Sequence, residues 1–181
     1  MNPSDPRNPA QGRRILAIAY HFPPIQGSSG LHRTLALARY LPEWNWSTTI
    51  LTVTPNAYAS SRPENDAMIP AGVDVVRAPT FDTVRHLSIK GRYIRLLALP
   101  DRWQSWIVSG VWKVLGTIRR QRPQVIYSTF PIASAHVIGL ILHRLTHLPW
   151  VADFRDPMDQ ITYPSDPVVR SAYRWIEEQT F

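Results

Sequence analysis

The chain has 181 residues, 44% apolar and 18% charged, enough for one domain with its own hydrophobic core and short for two. Its 17 prolines predict many irregular loops, and the absence of cysteine excludes a disulfide framework, thiolate metal sites and a cysteine nucleophile. A net charge of +7 fits an anionic partner, such as a phosphate-bearing substrate or a membrane surface, and equally fits basic residues that only solvate the exterior.

Residues 1–12 are polar and proline-rich and predict a flexible tail before a domain over 13–181. The apolar runs at 15–20 and 137–142 are too short for a signal-peptide core or a bilayer span, so a cytoplasmic protein is expected. Residues 13–20, RRILAIAY, predict a buried parallel strand, and HFPPIQGSSG after them predicts an irregular loop. LHRTLALARYL then sets Leu31, Leu35 and Ala38 on one helical face. Strand, glycine-bearing loop and helix in that order open a nucleotide-binding βαβ unit.

Residues 47–53 predict a second strand, 55–72 a long loop, and 73–79 a third strand towards a sheet edge. Between 85 and 100 the basic residues Arg85, His86, Lys90, Arg92 and Arg95 stand among Leu, Ile and Tyr. That segment reads either as a solvated helix end or as a patch for an anionic membrane or lipid-linked acceptor. Asp101 is placed to cap a helix running to about Gln121, with Trp106, Gly110, Val114 and Ile118 on its buried face and Trp112 opposite.

Residues 124–129 predict the next strand, and a helix follows from near Pro131 to about Thr146. Residues 149–156 predict a strand running into a polar turn. Asp166 and Pro167 form an N-cap and first-turn pair for a last helix with no visible stop before Phe181. Alternating strands and helices imply an α/β, Rossmann-like parallel sheet with helices on both faces.

Three strand ends offer chemistry, because backbone groups and helix N-termini converge there. After the first strand, Gly27, Ser28, Ser29 and Gly30 can aim amides at an anion, although structural turns share this composition. His21 lies in the same loop. After the fourth, Ser128, Thr129 and Phe130 stand beside a helix start, where helix capping is the ordinary explanation. After the fifth, Asp153, Arg155 and Asp156 concentrate charge that suits sugar binding, a base or a structural ion pair. His136, His143 and His147 lack the glutamate of a zinc-protease helix, so no metal site is expected. No nucleic-acid recognition module is visible either.

Three segments, AYHFPPIQGSSGLHRTLALARYL, VIYSTFPIASAHVIG and PWVADFRDPM, resemble the N-terminal domain of glycosyltransferase family 4-like enzymes. Those enzymes have the GT-B architecture of two facing Rossmann-like domains. The resemblance implies metal-independent transfer of sugar from a nucleotide donor to a glycan or lipid-linked acceptor, with retention of configuration. It implies that Gly27–Gly30 faces the donor phosphate, and that His21, Thr129, Phe130 and Arg155 lie on the acceptor side. Arg155 occupies the place of a cleft-facing residue that is often histidine, and arginine is a poor proton acceptor, so binding or charge stabilisation is its implied role. The family's C-terminal donor-binding domain is not represented in the chain, so a truncated half that is inactive alone is the expectation, with a non-catalytic binding domain on the same scaffold or a peripheral membrane module as the alternatives.

Overall fold

The computed structural model describes residues 12–86, 95–160 and 163–180. Its strands are β1 (Arg13–Ile18), β2 (Trp46–Val53), β3 (Asp74–Ala78), β4 (Val125–Thr129) and β5 (Trp150–Asp153). All pair in parallel in one sheet of order β3-β2-β1-β4-β5. Successive residues of β1 from Ile15 to Ile18 are buried, which requires cover on both faces and explains the unbroken apolar run.

The chain steps from β1 outward to β3, then returns across β1 to β4 and β5. Right-handed crossovers therefore put helix α1 (Ser29–Tyr40) on one face and α3 (Ser105–Gln121) and α4 (Ala133–Thr146) on the other. The direction reverses between β1 and β4, the place where open α/β sheets bind ligands. A short helix α2 (Thr83–His86) follows β3, and α5 (Pro167–Glu178) packs on α4 through Ala133, Met158, Tyr173 and Ile176. The main core joins Leu16, Ile18, Ile50, Leu51 and Ile126 of the sheet to Trp106, Val114, Ile138 and Leu142 of the helices. Trp112 is 82% exposed, as the periodicity of α3 requires.

Several expectations change. Helix α3 starts at Ser105 rather than directly after Asp101, and the Asp101 carboxylate is shared between two segments. It accepts from the Trp103 amide at 2.9 Å, closing a turn, and from the Ser134 amide and hydroxyl at 2.7 and 2.9 Å. Asp101 thus caps α4 from another part of the chain, where the N-cap residue Ile132 has no side chain able to do so. The hydroxyls of Ser128 and Thr129 accordingly do not cap that helix.

Residues 55–72 hold two 3-10 turns, Pro55–Ala57 and Pro63–Met68, rather than an unstructured loop. They tie back to the loop after β1, through Arg62 N donating to Pro24 O at 2.8 Å and Asn65 Nδ2 to Ile25 O at 2.9 Å. Helix α5 opens as expected, with Asp166 accepting from the Val168 amide at 2.8 Å. It does have a stop, at Glu178, where the Gln179 and Thr180 amides tighten onto the carbonyls of Ile176 and Glu177. The expected tail up to residue 11, together with Lys90 and Arg92, lies outside the described residues, as does the side chain of Arg95.

One glycine fixes the seat of α4 on the sheet. A Cβ at Gly139 would stand 2.5 Å from Trp150 Nε1 and 3.2 Å from Ser128 Oγ. Gly139→Ala is expected to cost about 2 kcal/mol, as overpacking of a filled interior does. Urea unfolding reads it directly, and an unchanged midpoint would show that the indole moves freely.

Candidate functional site

The carboxyl ends of β1, β4 and β5 bring Asp153, Arg155, Thr129, Gly30 and Arg33 into one cluster. Asp153 closes β5 and accepts from the Tyr127 hydroxyl at 2.6 Å and from Thr129 Oγ1 at 3.0 Å. Arg33, in the first turns of α1, donates to both of its oxygens at 3.1 and 3.3 Å. Burial alone would raise the Asp153 pKa. The two hydroxyl donors and the charges of Arg33 and Arg155 outweigh it and hold the carboxyl below the usual range. An ionised carboxylate with its oxygens so occupied is an anchor for the arginines and a poor proton acceptor.

Arg155 reaches Thr129 Oγ1 through NH2 at 3.1 Å and Nε at 3.3 Å, and the Gly30 carbonyl through NH2 at 3.5 Å. Its backbone is left-handed, with φ 66, a conformation that costs a non-glycine residue on the order of 1 kcal/mol and recurs at functional sites. Arg155 is half-buried, whereas Asp156 is exposed and does not join the cluster. Asp153 and Arg155 thus both join the strand ends to α1, through Arg33 and the Gly30 carbonyl respectively.

The glycine loop lies beside it. Gly27 has φ +72, which favours glycine, and Ser28 Oγ caps α1 by accepting from the Gly30 amide at 3.2 Å. Gly30 has a further reason to lack a side chain: a Cβ there would stand 2.8 Å from His21 Nδ1. That nitrogen is buried without a hydrogen-bond partner among the described residues. Burial, reinforced by the charge of Arg155, lowers the His21 pKa to about 4, so the imidazole is neutral at pH 7. His21, Gly30, Thr129, Phe130 and Arg155 line one small cleft, so the expected residues from three separate loops do converge.

Phe130 contributes less directly. It stacks on His136, with ring centroids 6.4 Å apart, and packs edge-on against Tyr173. His136 is wholly buried, which lowers its pKa to about 3. Ser128 Oγ joins it at 2.7 Å to the Trp150 indole, which donates at 2.8 Å. His143 instead meets the Leu148 carbonyl at 2.7 Å, and His147 ends α4. Among the described residues no three His, Asp or Glu side chains gather as a metal site.

Arg33 and Tyr127 were missed in the sequence. Arg33 was legible in principle, since it lies one helical turn after Gly30 and must share that end of α1. Tyr127 was not, because strand periodicity gives its face and not the partner of its hydroxyl.

Comparisons with known proteins agree with this fold. A glycosyltransferase from Streptomyces sp. SF2575, SsfS6, is similar at a TM-score of 0.56 and 14% identity, over 93% of this chain and 47% of that one. UGT2 of Phytolacca americana, complexed with UDP-2-fluoro-glucose and pterostilbene, is similar at 0.54 and 14%, over 78% of this chain and 30% of that one. The chain thus spans less than half the length of the structures it matches, and at these identities the likeness concerns the fold, which is one half of a GT-B architecture. A search of curated proteins finds no match. The family described as Glycosyl transferase 4-like domain matches residues 30–181. The chain belongs to that family of glycosyl transferase 4-like domains.

Proposed function

We propose that the chain is the acceptor-side half of a retaining glycosyltransferase. A nucleotide-sugar donor would sit between it and a donor-binding domain, in the same chain or another. The observation that carries this reading is the pairing of Arg33 and Arg155 beside the N-terminus of α1, at the reversal point of the sheet. Two guanidinium groups and a helix N-terminus together suit a diphosphate. They supply charge stabilisation of a departing nucleotide rather than proton transfer. The related SsfS6 structure has been determined with thymidine diphosphate, which fits the same class of donor. One wall of a two-walled cleft positions one reactant only, so the chain alone is proposed to be inactive. The acceptor is proposed to be a glycan or lipid-linked sugar, and the reaction to need no metal.

Titrating the 15N-labelled protein with UDP and TDP tests the donor side. The Ser29, Gly30 and Leu31 amides are expected to shift, and Arg155→Gln to weaken the response about tenfold, the worth of a charge-assisted contact. Silence of these amides at saturating nucleotide would sink the reading. Insensitivity of the response to EDTA, and the anomeric configuration of product made with a donor-binding half, test the remaining parts.

A further inference from the structure

We infer that a second cavity, on the other side of His21, binds the acceptor and selects acceptors with a ring-sized body and an anionic group. This rests on the acceptor-side reading above. The cavity has a volume of about 240 Å³ and is walled by Tyr20, Tyr58, Trp103, His21, Arg85 and Arg102. That is a little below the usual range for small-molecule sites, which begins near roughly 300 Å³, so it suits a single ring rather than an extended chain.

Its polar groups are mostly spoken for. The Tyr20 hydroxyl donates to Ala57 O at 3.2 Å and the Tyr58 hydroxyl to Tyr20 O at 2.7 Å, so these residues offer ring surface to the cavity. Arg102 and Asp82 form a two-pronged ion pair, one prong at 2.8 Å, and Asp82 also accepts from the Val84 and Arg85 amides. That pair is neutral overall. Arg85 is exposed at the rim, and among the described residues no carboxylate pairs with its guanidinium. Trp103 adds an indole N–H that is buried without an acceptor among the described residues. The cavity therefore combines aromatic faces with a guanidinium, that of Arg85, unpaired with a carboxylate among the described residues, whose planar fork matches carboxylate or phosphate.

Position supports the assignment. His21 lines both this cavity and the small cleft that holds Gly30, Thr129 and Arg155. A ligand in the cavity would thus have its inner edge next to the imidazole and the glycine loop, beside the place proposed for the donor's diphosphate. Arg85, which the sequence groups with a basic segment read either as a solvated helix end or as a membrane or acceptor patch, stands in the wall of this cavity.

Ligand-observed and 15N NMR of the full chain with phenyl phosphate, benzoate and neutral phenyl β-glucoside tests the inference. The anionic rings are expected to shift the Trp103 indole signal and to bind about tenfold tighter than the glucoside. Arg85→Gln, a change at an exposed side chain, is expected to erase that preference. Phenyl phosphate against benzoate tells a phosphorylated acceptor from a carboxylated one. Equal binding of the neutral ring, retention of the preference in Arg85→Gln, or shifts confined to Ser29, Gly30 and Leu31 would overturn it. The nucleotide response of those three amides distinguishes the failures: if it persists, the glycosyltransferase reading stands and only the anionic acceptor falls.

Discussion

Asp153→Ala is expected to lower stability by about 3 kcal/mol, the range found when one partner of a charged, partly buried network is removed. The reason is the asymmetry of what remains. Tyr127 and Thr129 lose the acceptor of their hydroxyl hydrogen bonds, and Arg33 and Arg155 lose the negative charge that separates them. Arg155 already sits in a left-handed backbone conformation that its contacts must offset. Asp153→Asn keeps the size and one acceptor oxygen, so about half the loss is expected, since a neutral hydrogen bond is worth roughly half a charged one. Tyr127→Phe removes one donor and is expected to cost about 1 kcal/mol. Urea unfolding at pH 7 ranks the three. A loss below about 0.5 kcal/mol in Asp153→Ala, the size of an ordinary surface change, would mean that the cluster is not an anchor.

The same network shows what sequence reasoning reaches. The α/β alternation, the edge position of β3 and the buried face of α3 follow from hydrophobic period and turn residues, which are local and repeat along an element. The glycine loop was legible for a like reason: Gly27 marks left-handed backbone and Gly30 a close approach that a side chain would obstruct. The sequence pointed to phosphate approach as the cause at Gly30, while the structure adds the imidazole of His21 packed against it. Hydrogen-bond partners between distant segments were not legible. Arg33 and Asp153 are 120 positions apart, and Asp101 and Ser134 are 33 apart. Asp101 carried a correct capping signal read onto the wrong helix, because an N-cap preference names the residue type and not which helix end the fold delivers to it. The aromatic cavity was missed similarly: Tyr20, Tyr58 and Trp103 look like core residues by type, and their packing leaves a gap that only the assembled loops define.

Acidification supplies the second large effect, through the two buried histidines. His21 and His136 have folded pKa values lowered to about 4 and about 3 from an ordinary 6.5, in each case mainly by burial. Below the ordinary value the unfolded chain takes up protons that the folded protein refuses, so stability falls as pH drops from about 6.5 towards those folded values. Each histidine is expected to withdraw about 2 kcal/mol from pH 7 to pH 5, roughly 4 kcal/mol together. Asp153, with its pKa held low, adds stability above the ordinary carboxylate value that is lost only at lower pH, as the folded group protonates. Asp101 runs the other way, because burial raises its pKa and protonation relieves the folded state. The histidine part is isolated by slope: His21→Asn and His136→Gln should each remove about half of the pH dependence between 7 and 5, whatever they do to stability at pH 7. If the native protein keeps the same unfolding free energy across that window, or both variants keep its full slope, the imidazoles do not titrate as their burial demands. The expected slope would also separate the two histidines by role, since a ligand bound beside His21 should deepen its burial and leave His136 untouched.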